Sequence, residues 1–397
     1  MRILFKILLL SFLSGLLCAT SKAESKVQVD SLQVSLLTCA PGEAPYEYYG
    51  HTALRVQNTK SGQDLVFNYG IFDFDTPHFA WRFMTGQTDY TIGVSRFEAF
   101  AYSYQRHGRC VIAQVLNLSP AEEARLYAAL VADWSQPGWT YRYNIFYDNC
   151  TTRALAQIKQ AIDGKLILPI QENGSRTLRD ILHEFSSERG PWYSFGDDLI
   201  LGSELDRPAE VWTQMFSPVY AAKFMDQIEV MGTDGQRRPI VEKSEMVVQA
   251  ISSEDKAFPL TPMITAVILL VLTLVIAYRE ISRGRQFRIL DYIWMAIQGL
   301  AGCLVAFLFF ISEHPAVDTN WLILLLNPLP LLYLPVKIWR DRKGLKDYYY
   351  PVLGGVLILF ALTAIFNVQK YPMEIYPLAL ILLIRVILSL YLEAKRK

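Results

Sequence analysis

A thiol reacts at neutral pH only if its surroundings favour the sulfur anion, and Cys150 is the cysteine whose position does so. It falls in the run Tyr-Asp-Asn-Cys-Thr-Thr, just inside a helix that Asp148 can cap and that continues through Leu155, Ile158 and Ile162 to Gly164. The first turn of a helix offers unpartnered backbone N–H groups and the positive end of the dipole, both of which stabilise a thiolate. Cys39 and Cys110 lie in the same polar part of the chain, so an odd count leaves at least one thiol without an intramolecular partner. Whether Cys39 and Cys110 pair is open at this level, and the plain alternative for Cys150 is a buried structural cysteine.

A thiolate nucleophile needs a base, and His51, His78, His107 and His183 are the choices. His51 sits in Tyr-Gly-His-Thr-Ala-Leu-Arg-Val, where Gly50 permits close backbone approach and the following residues read as a strand. A strand-borne imidazole beside a helix start is a rigid pairing. The third role, orienting the ring, falls to Asn68 in Val-Phe-Asn-Tyr-Gly, with Asp73 and Asp75 in Phe-Asp-Phe-Asp as competitors. Asparagine fixes a ring without adding charge, whereas an acid holds imidazolium more strongly. There is no His-x-x-x-His, no Cys-x-x-Cys and no glycine-rich phosphate or dinucleotide loop, so neither a metal nor a nucleotide cofactor is expected.

The elements that must hold these residues are legible in part. VQVDSLQVSLLTC, GHTALRVQN and DLVFNYGIFDF read as strands, the last two separated by the turn NTKSGQD. Ser119-Pro120-Ala121-Glu122 opens a helix through an N-cap hydroxyl, a proline in the first turn and a glutamate three residues on. Thr177-Leu178-Arg179-Asp180 opens another, with Leu178, Ile181, Leu182 and Phe185 on its apolar face. A smaller lobe is expected beyond residue 165. Trp81, Phe83, Trp139, Tyr141 and Tyr143 are either core or a wall for an apolar ligand.

Of 397 residues, 38 are basic and 38 acidic, so no net positive charge marks a nucleic-acid partner and none is expected. Arg2 and Lys6, an apolar run to Leu17 and small residues up to Ala23 read as a secretory leader over 1–23, with an uncleaved anchor as the alternative. Cys18 follows the bulky Leu17, where lipoprotein processing wants a small side chain. An exported domain is then expected over 24–250. A membrane domain of about five helices follows over 251–397, at roughly Leu260–Tyr278, Leu290–Ile311, Trp321–Val336, Tyr350–Phe366 and Ile375–Leu392. Pro328, Pro330 and Pro335 make the third a broken or re-entrant span.

Loop charges set the orientation. Arg279, Arg283, Arg285 and Arg288 follow the first span, Lys337, Arg340, Arg342, Lys343 and Lys346 the third, and Lys395, Arg396 and Lys397 the fifth. The loop SEHPAVDT after the second has no Lys or Arg, and that after the fourth has only Lys370. The large domain therefore belongs on the periplasmic face of a bacterial inner membrane, with the C-terminus in the cytoplasm. Arg385 inside the fifth span must snorkel, pair with an uncharged polar group between helices or meet a phospholipid phosphate.

The runs LLTCAPGEAPYEYYGHTALRV, FNYGIFDFDTPHFAWRFMTGQTDY and YRYNIFYDNCTTRAL, supported by RTLRDIL, resemble the N-terminal periplasmic domain of the Lnb-type proteins of Bacteroidetes, over about residues 36–215. Those proteins pair this domain with several transmembrane helices and are lipoprotein N-acyltransferases. The domain is also similar to the permuted papain-like folds of the LRAT and NlpC-like families, in which a strand histidine precedes a cysteine at a helix start. The resemblance implies an α+β, permuted papain-like domain followed by an all-α membrane bundle. It implies Cys150 as nucleophile, His51 as base and Asn68 as the polar third member. The acyl donor would be a membrane phospholipid and the acceptor a diacylated lipoprotein, with no cofactor. Backbone N–H groups at the helix start, that of Cys150 among them, would hold the oxyanion. A membrane-anchored cysteine peptidase or amidase acting on cell-wall peptides, and a non-catalytic envelope assembly factor, are the other readings.

Overall fold

The computed structural model describes residues 31–170, 176–249 and 259–395. The leader expected over 1–23, with Cys18, and the expected boundary at 250 lie outside the described residues. The first region is mixed. Its strands are β1 (Leu32–Cys39), β2 (His51–Asn58), β3 (Gln63–Ile71), β4 (Asp89–Arg96), β5 (Val111–Leu116), β6 (Tyr141–Arg142), β7 (Lys165–Ile167), β8 (Glu229–Met231), β9 (Arg237–Pro239) and β10 (Val241–Val248). Its helices are α1 (Phe79–Met84), α2 (Phe97–Arg106), α3 (Pro120–Ser135), α4 (Cys150–Ala161), α5 (Leu178–Arg189), α6 (Pro191–Ile200), α7 (Val211–Gln214) and α8 (Pro218–Met225).

Seven strands form one antiparallel sheet in the order β10-β5-β1-β2-β3-β4-β6. β1 is central, and its sequence alternates only in part because both its faces are covered. Val34 and Leu36 join Leu54, Phe67, Leu126, Leu155 and Ile158 in the core shared with α3 and α4. Leu37 and Cys39 face the other way, onto Ala53, Val66 and Phe100 of α2. The cap expected at Ser119 is present, with Glu122 accepting from the Ser119 amide at 2.7 Å. Beyond residue 165 a small sheet, β7-β8-β9, accompanies a second core of Leu178, Ile181, Leu182, Phe185 and Phe216.

The C-terminal region is helical: α9 (Pro262–Arg283), α10 (Arg288–Ile311), α11 (Leu329–Lys343), α12 (Tyr349–Ile365) and α13 (Ile375–Lys395). Among the described residues, four segments are long and apolar enough to cross a bilayer, namely α9, α10, the stretch Trp321–Lys343 and α13, while α12 has 17 residues. At 1.5 Å per residue α12 reaches about 25 Å, just short of a typical hydrocarbon core. The third segment is broken ahead of Pro328 and Pro330, with a 3₁₀ turn at Trp321–Leu324 before α11, whereas Pro335 is accommodated inside α11. Gln298 of α10 donates to the Leu325 carbonyl at 2.8 Å and so satisfies backbone at the break.

Arg385 meets neither of the partners expected for it, a lipid phosphate or an uncharged group. Its Nε donates to Asp291 at 2.6 Å and its two terminal nitrogens to Glu280 at 2.5 and 2.9 Å, all three side chains being buried. The charge is compensated inside the bundle, so α9, α10 and α13 are clamped together.

The mixed region sits on the loops between helices. Glu313 and Ser312, after α10, donate to the Thr85 and Met84 carbonyls at 2.9 and 3.0 Å. Gly202 donates to Ala316 at 2.7 Å, and a Cβ there would fall 2.3 Å from the Thr319 carbonyl carbon, so only glycine permits this approach. After α12, the Lys370 amide donates to Asp206 at 2.8 Å.

Replacing Arg385 with Gln leaves two buried carboxylates without their cation. The expected loss is about 3–5 kcal/mol, visible as a large drop in the melting temperature of the detergent-solubilised protein. An unchanged melting temperature would contradict the clamp.

Candidate active site

The start of α4 is built by Asn149, not by Asp148 as the sequence suggested. Asn149 Oδ1 accepts from the amides of Thr151 and Thr152 at 2.8 and 2.9 Å, while its Nδ2 donates to the carbonyls of Ile145 and Phe216 at 2.8 and 2.9 Å. Asp148 is drawn away by Arg153, at 2.5 and 2.6 Å. Cys150 is thus the first helical residue. The Asn149 amide donates to Thr152 Oγ1 at 2.7 Å and the Arg153 amide to the Asn149 carbonyl at 3.0 Å. Among the described residues, the amide of Cys150 is therefore the one in this turn left without an acceptor.

His51 opens β2, opposite Cys39 of β1. Gly50 before it has φ +80°, and a Cβ there would lie 2.6 Å from the Cys39 carbonyl oxygen, so the chain can enter the strand here only through glycine. Nε2 of His51 donates to Asn68 Oδ1 at 3.0 Å. That occupies one ring nitrogen and leaves Nδ1 as the other, with Cys150 close enough for the two groups to act on each other's charge. Next to both residues, Thr52 Oγ1 and Thr151 Oγ1 meet at 2.9 Å and tie β2 to the first turn of α4. Sequence reasoning missed this bond and the cap's reach to Phe216; neither has a local signal.

Burial in the cavity wall works against a Cys150 thiolate. The charge and hydrogen bond of His51, the backbone of Thr52 and the hydroxyl of Thr151 outweigh it and bring the thiol below its ordinary range. For His51, burial likewise disfavours the cation, but the adjacent sulfur and the bonds to Cys150 and Asn68 prevail and hold the imidazole above its usual value. The two shifts run in opposite senses, so each group favours the charged form of the other. Cys39 is the contrast: burial pushes its thiol up to about 12, although Tyr104 hydrogen-bonds it. Cys39 and Cys110 are both free thiols in the structure.

The other histidines lie elsewhere. His78 precedes α1 and His107 follows α2, its Nδ1 on the Ser103 carbonyl at 2.7 Å. His183 pairs with Asp198 at 2.9 Å. Asp73 and Asp75 are exposed in a turn.

Cys150, His51 and Asn68 line a cavity of about 830 Å³, within the range of small-ligand sites. Much of its wall is apolar, with Ile71, Phe72, Phe74, Phe79 and Phe83 among the lining residues. Of the aromatic residues singled out in the sequence, Phe83 and Tyr143 belong to this wall. Tyr141 is buried and Trp139 packs against the main core. Trp81 is 54% exposed, with its ring 5.5 Å from Phe307 of α10. α1 thus presents Phe79 and Phe83 to the cavity and Trp81 to the membrane bundle.

Residues 19–184 match the Lnb N-terminal periplasmic domain and residues 253–397 match the Lnb transmembrane domain. No curated protein and no solved structure matches the chain.

Alkylation of Cys150 by iodoacetamide, followed peptide by peptide, is expected to persist below the pH range of an ordinary thiol and to fall only as pH drops through the lowered Cys150 pKa. His51→Ala removes the cation and its bond but leaves the burial, so the midpoint moves up past that of an ordinary cysteine. A midpoint unmoved by His51→Ala would contradict the coupling of the two groups.

Proposed function

Since this multi-pass membrane protein belongs to the Lnb family, we propose that it is a lipoprotein N-acyltransferase, moving an acyl chain from a membrane phospholipid through a Cys150 thioester to the α-amine of a diacylglyceryl-cysteine. The observation that carries this reading is the placement of the Cys150–His51–Asn68 row in an apolar cavity walled by α1, the helix that also touches α10. An apolar cavity one short helix away from the membrane bundle suits a fatty acyl chain better than a polar cell-wall peptide.

In the first half-reaction the Cys150 thiolate attacks an ester carbonyl of the donor. The oxyanion forms beside the free Cys150 amide, in surroundings where a fixed N–H is worth more than in water. On collapse, the bond to the glycerol oxygen breaks and His51 gives that oxygen its proton, which releases a lysophospholipid. In the second half-reaction the neutral amine of the acceptor attacks the thioester, His51 takes its proton, and the Cys150 thiolate leaves as the amide forms. Asn68 holds the ring so that Nδ1 keeps facing sulfur throughout.

The orientation belongs to the same reading. The loops that the mixed region rests on, after α10 and after α12, are the two poor in Lys and Arg. The basic loops therefore lie at the other ends of the helices, which fits a periplasmic active site on the inner membrane.

Mass spectrometry of lipoprotein N-termini tests the function. Cells with the wild-type protein are expected to carry triacylated N-termini, and cells lacking it free amines on diacylated ones. Cys150→Ala is expected to abolish rescue and His51→Ala to cut the acylation rate by roughly 100-fold or more, at normal protein levels. Triacylated lipoproteins in the Cys150→Ala strain would overturn the reading, as would unchanged N-termini on deletion.

A further inference from the structure

We propose that Arg109 binds the phosphate of the phospholipid donor inside the active-site cavity; the inference rests on the acyl-transfer reading and names the group that selects its donor. Arg109, just before β5, is 7% exposed. Its Nε donates to the Ala40 carbonyl at 2.8 Å and its Nη1 to Glu47 at 2.6 Å, and the guanidinium stands 4.7 Å over the Tyr104 ring. These contacts fix the side chain. Its Nη2 is buried with no hydrogen-bond partner among the described residues, and Arg109 lines the same cavity as Cys150 and His51.

A guanidinium edge kept dry and without an acceptor is costly unless a ligand supplies one. Phosphate oxygens suit it in charge and geometry. Glu47 offsets part of the arginine's charge, so recognition rests on the directed N–H groups of Nη2 rather than on bulk attraction. The cavity lining also contains both kinds of group that an amphiphile needs. Phe72, Phe74, Phe79 and Phe83 form one run of touching rings, while Glu47, Ser103, Tyr104 and Arg109 supply a polar patch. An ester held at the sulfur would then have its chain on the rings and its headgroup at Arg109. The acceptor carries no phosphate, so Arg109 acts on the first half-reaction alone.

The test uses the full-length protein in detergent micelles. Rates of Cys150 thioester formation are measured with a diacyl phospholipid and with the diacylglycerol of the same chains. Amide formation on a diacylated lipopeptide is measured separately, from a thioester preloaded with a short activated ester. Wild type is expected to favour the phospholipid, and Arg109→Gln to slow that donor by roughly 10- to 100-fold, the loss expected for one charge-assisted hydrogen bond. The drop falls on the phospholipid and not on amine transfer, and Arg109→Lys recovers part of it. Equal use of both donors by wild type, which needs no variant, overturns the inference, and so does an Arg109→Gln enzyme that keeps the preference. If wild-type Cys150 accepts an acyl group from neither lipid, the acyl-transfer reading itself fails, a different result.

Discussion

The contact between the Cys150 sulfur and the His51 ring is the interaction on which the rest of the structure bears. Burial disfavours the charge on both groups, and each offsets that cost for the other. Such a pair survives only where its partners cannot drift. The side chain of Asn149 does much of that positioning, with four hydrogen bonds reaching two amides of α4, the carbonyl of Ile145 and that of Phe216. Thr52 and Thr151 then lock the strand to the helix beside the pair. Asn68 completes the row from β3, which is itself fixed in register against β2 and β4.

The membrane bundle is more than a tether. Short, directed hydrogen bonds join the α10 loop to the end of α1 and the turn before α7 to the α10–α11 connection. The wall of the cavity is thereby held against the helices, and in the proposed reaction a lipid donor would have a short path to the sulfur. Inside the bundle the Arg385–Glu280–Asp291 cluster fixes three helices through charge that would otherwise be prohibitive at that depth.

What was legible in the sequence is what local chemistry encodes. A helix start at a cysteine, a glycine-led strand carrying histidine, and proline-broken or basic-flanked apolar runs are all written in a few consecutive residues. The choice between Asp148 and Asn149 as cap was not, because both are good caps and Phe216, far along the chain, helps decide it. Arg385 was visible as an anomaly, yet its partners stand 105 and 94 residues away. β5 reads as a short apolar run that periodicity cannot separate from buried helix, and Arg109 beside it has its significance only from the cavity it faces.

The central claim is that the sulfur of Cys150 carries a fatty acyl chain. Intact-protein mass spectrometry of the purified, full-length protein after incubation with phospholipid, without any acceptor, tests this most directly. The account predicts a mass increase equal to one acyl group, localised to Cys150 and removed by neutral hydroxylamine. Lysophospholipid released with no acyl adduct on Cys150, or an adduct that persists in Cys150→Ser after hydroxylamine at another residue, would contradict it.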